Sequence, residues 1–232
     1  MSTITPRFDD FPIIHSGTVT LPEGIFLRIR QAIVEGNIPA GSKISEPELA
    51  RQFGISRAPL REAIARLEAC KLVVRKPNVG ARVVSLSFHD LMSLYELREV
   101  MEGLGARLAA ENMTDEERTD LLALLKKHEE LTPLQDGIAY FQKEGDLDFH
   151  YSVVRGSRNQ HLITLLCLDL YHLLRMYRFQ FGMPGTRSRN AFREHEYIAE
   201  AIVNRDGEHA EILMRRHIRM ARAYLETQFV KK

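Results

Sequence analysis

The sequence predicts a mainly α protein: an N-terminal winged helix-turn-helix with a small β-hairpin wing, then a C-terminal all-α helical bundle of six or seven helices. Apolar residues recur at helical spacing along most of the chain. Only the segment over 72–84 has the pattern of strand, turn and strand. A content of 44% hydrophobic residues in a chain of 232 supports buried cores in both parts.

Charge divides the chain at the same place as this pattern. The net charge is only +1, yet residues 25–86 carry eleven Lys and Arg against five Glu, which gives this segment +6 and leaves −5 for the rest. Such an asymmetry is typical of one domain that binds a polyanion. We therefore divide the chain into a flexible leader over 1–22, a basic domain over 23–86 and an all-α domain over 87–232.

Cysteine content and hydropathy indicate the compartment. Cys70 and Cys167 lie far apart without the spacing of a metal or redox motif, which argues against a disulfide framework and favours a reducing environment. No apolar run reaches the roughly 18 residues of a membrane span, and the first residues lack a signal pattern. We expect a cytoplasmic protein that does not bind membranes.

Two helices are predicted at the start of the basic domain. Apolar side chains recur at helical spacing over 22–35, and Gly36 follows as a natural stop. The second helix begins at Ser45, which with Glu48 forms a capping box, and ends at Gly54. Between them, residues 43–44 are too short for more than an edge strand.

A third helix and a hairpin complete the domain. Ser56 is expected to cap the third helix through its hydroxyl, with Pro59 in the first turn, and the helix runs to about Cys70. The strands of the hairpin are predicted over 72–75 and 81–84, with a turn between them. A basic hairpin directly after a helix-turn-helix is the arrangement of a wing.

The third helix is the candidate DNA-reading element. In a helix-turn-helix its N-terminal residues lie against base edges, and arginine makes bidentate contacts with guanine worth about 1–3 kcal/mol of discrimination. The alternative is that these arginines only solvate a surface helix. The candidate contacts at this end are Ser56, Arg57, Ala58, Pro59 and Arg61.

Further DNA contacts are predicted outside the third helix. In the wing, Arg75 and Lys76 are basic, and Gly80 allows positive φ or a close approach to the sugar-phosphate backbone. The alternative is an ordinary hairpin turn. On the first helix, Arg28 is placed to contact phosphate, although exposed basic residues on a helix are common.

The second domain shows only helical patterns. Ser87 is predicted to cap its first helix, and Thr114 with Glu117 forms a capping box that opens a second helix running to about 130. Four further helices are predicted over 136–156, 159–181, 188–204 and 207–229. An all-α bundle follows from this order of elements.

Four metal-ligating side chains occupy the apolar faces of three of these helices. Asp146 and His150 are one turn apart on the helix over 136–156, while His195 and His217 lie in apolar stripes of the last two helices. One carboxylate and three imidazoles suit a divalent ion, with Zn²⁺ first and Ni²⁺ or Mn²⁺ as alternatives. Taken singly, each histidine also fits a core residue with a satisfied hydrogen bond.

The basic domain resembles the GntR superfamily of bacterial regulators. The resemblance rests on S-E-x-x-L-A, then G-I-S-R-x-P-L-R-E-A-I, then a basic wing that closes on a glycine, and covers roughly residues 24–85. It implies a homodimer that binds a palindromic double-stranded DNA operator, with Arg57, Arg61 and Gly80 at contact positions. Pro47 stands where some members have a further arginine, so it does not imply an operator sequence.

Residues 88–229 resemble the FCD domain of the FadR subfamily. The resemblance rests on R-x-x-x-E over 98–102, D-x-x-F-H over 146–150, E-H at 194–195 and R-H at 216–217. It implies a metal bound by the four residues named above. It also implies a small organic acid held by the metal and a nearby arginine, for which Arg98 is the first candidate, followed by Arg175 and His172. A salt bridge from Arg98 to Glu102 is the structural alternative.

Three functions are compatible with these patterns. The first is a regulator controlled by an organic acid bound at the metal. The second is a regulator whose metal is purely structural or is itself the signal. The third is a metal-dependent hydrolase or lyase fused to a DNA-binding head, which lacks a recognisable base or nucleophile motif. We therefore expect a protein that is not an enzyme.

Overall fold

The computed structural model describes residues 20–76, 80–136, 140, 142, 144–181 and 186–230. The leader expected over 1–22 lies outside this range up to residue 19. The chain divides into two compact units, one containing the residues up to Ser85 together with Leu168–Gln180, the other Leu86–Cys167 and Phe181–Lys232. The second unit therefore differs from the predicted domain over 87–232 by the segment 168–180.

Helices account for most of the described chain. In chain order they are α1 (Leu21–Val34), α2 (Glu46–Phe53), α3 (Arg57–Ala69), α4 (Phe88–Asn112), α5 (Asp115–Glu129), α6 (Thr132–Gln135), α7 (Phe149–Gly156), α8 (Gln160–Ile163), α9 (Tyr171–Phe181), α10 (Thr186–Val203) and α11 (Gly207–Val230). From α4 onward, six of those described have eight residues or more, since α6 and α8 are single turns. None of the described helices is long and apolar enough to cross a membrane.

Three strands form one antiparallel sheet in the order β1-β3-β2. They are β1 (Lys43–Ile44), β2 (Val73–Lys76) and β3 (Gly80–Val83). The hairpin pairs Val73 with Val83 and Lys76 with Gly80, while β1 adds to the other edge of β3. The fold class predicted from the sequence, a winged helix-turn-helix followed by helices, is confirmed.

The first unit is built around the apolar faces of α1 and α3. Ile29, Ile33, Leu60, Ile64 and Leu67 are fully buried there. Burying side chains of this size stabilises a domain by roughly 1.5–3 kcal/mol each relative to exposure. The core therefore fixes α3 while its opposite face stays exposed.

Two caps in this unit differ from the sequence prediction. Ser56 occupies the cap position of α3, but its hydroxyl makes no capping hydrogen bond and is left exposed. At α2 only half of the capping box forms, since Ser45 accepts from the Glu48 amide while the Glu48 carboxylate bonds Arg51 and Gln52 instead. The Glu48 carboxylate bonds Arg51 rather than the backbone amide of Ser45, because an exposed carboxylate pairs more strongly with a guanidinium than with one amide.

Helix α9 packs in the first unit against α1. The Gln180 side-chain amide donates to the Ile33 carbonyl at 3.1 Å, and His172 Nε2 lies 3.4 Å from an Arg30 guanidinium nitrogen. Burial, together with Arg30 and Arg175, lowers the pKa of His172 to about 3. His172 is thus a neutral, partly buried group in this unit.

The second unit is held together by α4 and α11. The two helices approach closely at Gly103, where a Cβ would meet the Arg215 side chain at 2.5 Å. The predicted caps at Ser87 and at Thr114 with Glu117 are confirmed, the latter with both halves of the capping box. Side chains of α4, α7, α10 and α11 form its buried core, among them Leu91, Tyr95, Phe149, Ile198 and Met214.

Two helices predicted in this region are wrong in extent. Instead of one helix over 136–156, a 3₁₀ turn at Gly145–Leu147 precedes α7, which begins only at Phe149 because the buried Asp148 caps it. Instead of one helix over 159–181, a π-helical segment at Thr164–Asp169 separates α8 from α9. The residues 137–139, 141 and 143 within the first prediction lie outside the described chain.

Candidate DNA interface and metal centre

The N-terminal end of α3 presents the predicted reading residues to solvent. Ser56, Arg57, Ala58 and Arg61 are exposed, and Pro59 is partly exposed. Arg57 and Arg61 lie one turn apart and are exposed, whereas Leu60 and Ile64 in the same turns of the helix are buried. The core packing thus directs both guanidinium groups outward, as contact with base edges requires.

An acidic side chain joins this end of α3 to the wing. The Glu46 carboxylate accepts from Arg61 Nε at 3.0 Å and lies 3.8 Å from a guanidinium nitrogen of Arg75. Arg75 also donates to Glu68 at 3.3 Å. This contact of Glu46 has no local signal in the sequence, because 15 residues separate Glu46 from Arg61.

The wing has the backbone that its glycine predicts. Gly80 adopts φ +88°, and nothing lies within 4 Å of the position its Cβ would take, so conformation rather than space favours glycine there. Lys76 is exposed, while Arg82 donates to the Gly41 carbonyl at 2.9 Å and so fixes the base of the wing. The residues between Lys76 and Gly80 lie outside the described chain.

The other arginines of this unit make internal contacts. Arg28 is half-buried with its guanidinium 5.0 Å from the centre of the Phe53 ring, which ties α1 to α2. Arg66 pairs with Glu23 and lies 4.2 Å above the Phe26 ring, which ties α3 to α1. Arg28 therefore has a packing role beside the phosphate contact that the sequence suggests.

Three of the four predicted metal ligands come together in the second unit. His150 of α7, His195 of α10 and His217 of α11 are buried and place one ligand atom each within 4.8 Å of the others. Their ring centres are 4.6–5.2 Å apart. The Phe149 ring stacks on His195 at 4.2 Å and covers one side of the cluster.

Each of the three histidines has a polar partner at Nδ1. His150 Nδ1 lies 2.6 Å from a Glu102 carboxylate oxygen, and His217 Nδ1 lies 2.6 Å from a carboxylate oxygen of Glu194. His195 Nδ1 lies 3.1 Å from the Tyr140 hydroxyl. Carboxylates accept only, so the two short contacts place a proton on Nδ1 of His150 and His217, and in a neutral ring Nε2 is then the acceptor.

The distance between two of the three Nε2 atoms fits a bound ion. His195 Nε2 and His217 Nε2 are 3.2 Å apart. Two lone pairs at this distance repel each other unless a cation or a proton lies between them. A tetrahedral ion with bonds of about 2.0–2.1 Å separates its nitrogen ligands by roughly 3.3 Å. The donor set and its spacing therefore fit a divalent metal.

The protonation states also suit metal binding. Burial lowers the pKa of His217 to about 4, against the opposing effect of the bond to Glu194, so this imidazole is neutral at neutral pH. Burial raises the pKa of Glu102, but Arg98 and His150 lower it further, and the carboxyl stays ionised. Glu194 behaves in the same way, with His217 and Arg187 opposing burial.

Asp146, the fourth predicted ligand, is not part of this cluster. It lies exposed in the 3₁₀ turn before α7 and lines a separate cavity of about 240 Å³ with Arg155 and Leu121. The expectation of one helical face shared with His150 fails because α7 begins at Phe149. The buried aspartate is Asp148, whose carboxylate accepts from the His150 and Tyr151 amides.

The predicted effector residues are divided between the two units. Arg98 is 2% exposed and donates to Glu102 at 2.6 Å. This is the salt bridge that the sequence offered as the structural alternative to effector binding. His172 and Arg175 belong to α9 and to the first unit, whereas the histidine cluster belongs to the second.

Family models match both parts of the chain. The model described as bacterial regulatory proteins, gntR family, matches residues 21–83, and that of the FCD domain matches 93–220. The chain belongs to the GntR family. As a GntR-family protein with an FCD domain, it is a transcriptional regulator, and the resemblance stated from the sequence is confirmed.

Relatives of known name agree with this assignment. The HTH-type transcriptional regulator YdhC of Bacillus subtilis is 30% identical over 79% of this chain and 81% of its own length. The HTH-type transcriptional repressor GlaR of Escherichia coli is 29% identical over 87% of this chain and 93% of its own. The relatives are GntR-family regulators rather than enzymes, which removes the hydrolase or lyase hypothesis.

Solved structures share the fold. E. coli McbR/YncC superposes with a TM-score of 0.69 at 19% identity, covering 91% of this chain and all of that one. A GntR transcriptional regulator from Rhodococcus has a TM-score of 0.65, also at 19% identity, and covers 88% of this chain and 97% of its own. At these identities the likeness supports the two-part architecture alone.

Proposed function

We propose that this regulator is a homodimeric repressor that binds a palindromic operator through α3 and the wing, and that a small organic acid bound at a divalent metal controls it. The observation that carries the metal site is the convergence of three histidines whose Nδ1 atoms are engaged and whose Nε2 atoms are 3.2 Å apart in one pair. Zn²⁺ is the first choice for three nitrogen ligands, with Ni²⁺ or Mn²⁺ as alternatives.

Charge favours an anionic ligand at such an ion. The three histidines bring no negative charge, and the two nearby carboxylates are each paired with a guanidinium, Glu102 with Arg98 and Glu194 with Arg187. The double charge of the ion is therefore not neutralised by its surroundings. Three protein ligands leave a coordination position open, and a carboxylate fits both the charge and the position.

The surface of the second unit supports a homodimer. Leu97 and Val100 of α4 and Met220 of α11 are about half exposed. The ion pairs Arg219–Glu99 and Arg222–Glu96 place Met220 at the same level of the helix pair as the other two. An exposed apolar stripe of this kind is typical of an association surface. Sedimentation should give twice the chain mass of 26.6 kDa.

A structural metal without an acid is the second candidate. The three histidines are at most 8% exposed, and Phe149 covers His195. A closed site that ties α7, α10 and α11 together is what a structural ion requires. The two functions predict different responses to organic acids.

Thermal unfolding tests the proposal. Purified protein is loaded with Zn²⁺ and melted with a panel of small carboxylic and sugar acids, and the same panel is repeated after chelation. A ligand at 100 times its Kd that binds only the folded state stabilises it by about 2.7 kcal/mol. We expect a shift for one acid class that chelation abolishes.

A pair of histidine variants provides the control. His195→Ala removes a proposed ligand, so both metal retention and the acid shift should be lost. His209→Ala changes an exposed histidine near the start of α11, and it should behave as wild type. A chelator effect with no acid shift would favour the structural metal, and full metal retention in His195→Ala would contradict the site.

A further inference from the structure

Two of the proposed ligands are the last members of similar chains of ionic hydrogen bonds, the first chain buried and the second partly buried. In the first, Arg98 Nε donates to one oxygen of Glu102 at 2.6 Å, and the other oxygen accepts from His150 Nδ1 at 2.6 Å. In the second, Arg187 makes two bonds of 2.6 and 2.9 Å to Glu194. One of the Glu194 oxygens also accepts from His217 Nδ1.

The two hydrogen-bonded chains lie on different helices, and each ends with a glutamate oxygen bonded to a histidine Nδ1. Glu102 is on α4 and its histidine is on α7, while Glu194 is on α10 and its histidine is on α11. Each glutamate is paired with a guanidinium, and its carboxylate presents an acceptor oxygen to Nδ1. An acceptor at Nδ1 requires the proton to be there.

The third histidine is oriented by a neutral chain. His128 Nε2 lies 3.1 Å from the Leu147 carbonyl, which only accepts, so this nitrogen is the donor. In a neutral ring His128 Nδ1 is then the acceptor, and the Tyr140 hydroxyl donates a hydrogen bond to it at 2.9 Å. The Tyr140 oxygen in turn accepts from His195 Nδ1 at 3.1 Å.

We propose that Glu102, Glu194 and Tyr140 are positioning residues, which hold His150, His217 and His195 as Nδ1–H tautomers with Nε2 available to the metal. The inference rests on the proposed metal site and adds the groups that set its affinity. A histidine side chain free in water favours the opposite tautomer, in which Nε2 carries the proton and binds no metal. Preorganisation by a second partner removes that cost before the metal arrives.

Nitrogen NMR of the metal-free protein tests the inference without a mutation. With ¹⁵N-labelled histidine, long-range correlations distinguish a protonated Nδ1 from a protonated Nε2. We expect the Nδ1–H tautomer for all three histidines near neutral pH. Nε2–H at His150 or His217 would overturn the inference.

Metal affinity gives the second readout. Competition with a chromophoric chelator measures Zn²⁺ binding in Glu102→Gln and Glu194→Gln, which keep the side-chain shape but remove the charge. Loss of such a partner typically weakens metal binding 10- to 100-fold. We expect a loss in this range together with a mixed tautomer at the partner histidine.

A glutamate on the same helix is the matched control. Glu99 of α4 pairs with Arg219 as Glu102 pairs with Arg98, but its second partner is Arg215 rather than a histidine. Glu99→Gln should keep wild-type Zn²⁺ affinity. If the wild-type protein binds no Zn²⁺, the proposed metal site itself is wrong. If the wild type binds Zn²⁺ and Glu102→Gln and Glu194→Gln bind it equally well, only the positioning role is wrong.

Discussion

The arginines of the DNA-binding unit are of two kinds: some make contacts inside the unit, and others are exposed to solvent. Arg66 and Arg82 bond within the unit, whereas Arg57 and Arg61 extend from the exposed face of α3. Arg61 pairs with Glu46, and its side chain is 63% exposed in this pair. An exposed pair of this kind is weak, so DNA can displace it.

Arg57→Ala and Arg61→Ala should weaken operator binding without changing the fold. If each arginine makes a bidentate contact with guanine, the loss is about 1–3 kcal/mol, or roughly 5- to 150-fold in Kd. Fluorescence anisotropy with a duplex selected from a random library measures it. Arg193→Ala, at an exposed site on α10, is the control. Unchanged affinity in both variants would show that α3 does not read the operator.

Glu46→Gln should act in the opposite direction. The substitution removes a negative charge that lies within 3.0–3.8 Å of two arginine groups and near the expected path of the phosphates. DNA affinity should rise, most of all at low salt, because the effect is electrostatic. A loss of affinity would instead mean that Glu46 orients Arg61 for contact with the bases.

Among the elements, α7 shows how one cap places a ligand. The Asp148 carboxylate is fully buried and accepts from the first amides of the helix, including that of His150. The start of α7, and with it the direction of the His150 ring, therefore depends on Asp148. Asp146 lies two residues earlier and outside the helix.

Replacing these two aspartates should give different stabilities. Asp148→Ala removes the cap and should lower the free energy of unfolding of the metal-free protein by about 0.5–2 kcal/mol. Asp146→Ala, at an exposed site in the same turn region, should leave it unchanged. Urea unfolding followed by circular dichroism compares the two. Equal losses would show that the helix begins earlier than Phe149.

Local elements were predictable because their signals are local. The caps at Ser87 and Thr114, the turn at Gly54 and the strand pattern of the wing each depend on neighbours within about four residues. The three histidines were also identified, since each lies on the apolar face of a helix. The start of the helix predicted over 136–156 was not predictable, because no local pattern distinguishes Asp146 from Asp148 as the aspartate at the helix start.

The partners of the histidines depend on tertiary contacts. Glu194 is adjacent to His195 in sequence, yet its carboxylate bonds His217, 23 residues away on another helix. Glu102 is 48 residues from His150. Sequence spacing suggested only the Arg98–Glu102 pair, at i and i+4, and could not show what the other carboxylate oxygen contacts. Helix packing decides this, and helix packing is not local.

At the scale of the whole molecule, the basic segment and the buried histidine cluster belong to different units. A transcriptional regulator gains from this division only if binding at one unit changes affinity at the other. Such coupling typically amounts to about 1–3 kcal/mol, and thermodynamics requires it to be reciprocal. An acid that lowers affinity for the operator must itself bind more weakly to the operator complex, by the same factor.

Reciprocity is the sharpest test of the regulatory proposal. With Zn²⁺-loaded protein, anisotropy measures operator affinity with and without the acid that gave the largest thermal shift, and calorimetry measures acid affinity with and without operator. We expect equal factors, between about 5- and 150-fold, in both experiments. His195→Ala should bind the operator but lose the acid dependence. An acid that binds the loaded protein and leaves operator affinity unchanged would show that the site, although occupied, does not regulate DNA binding.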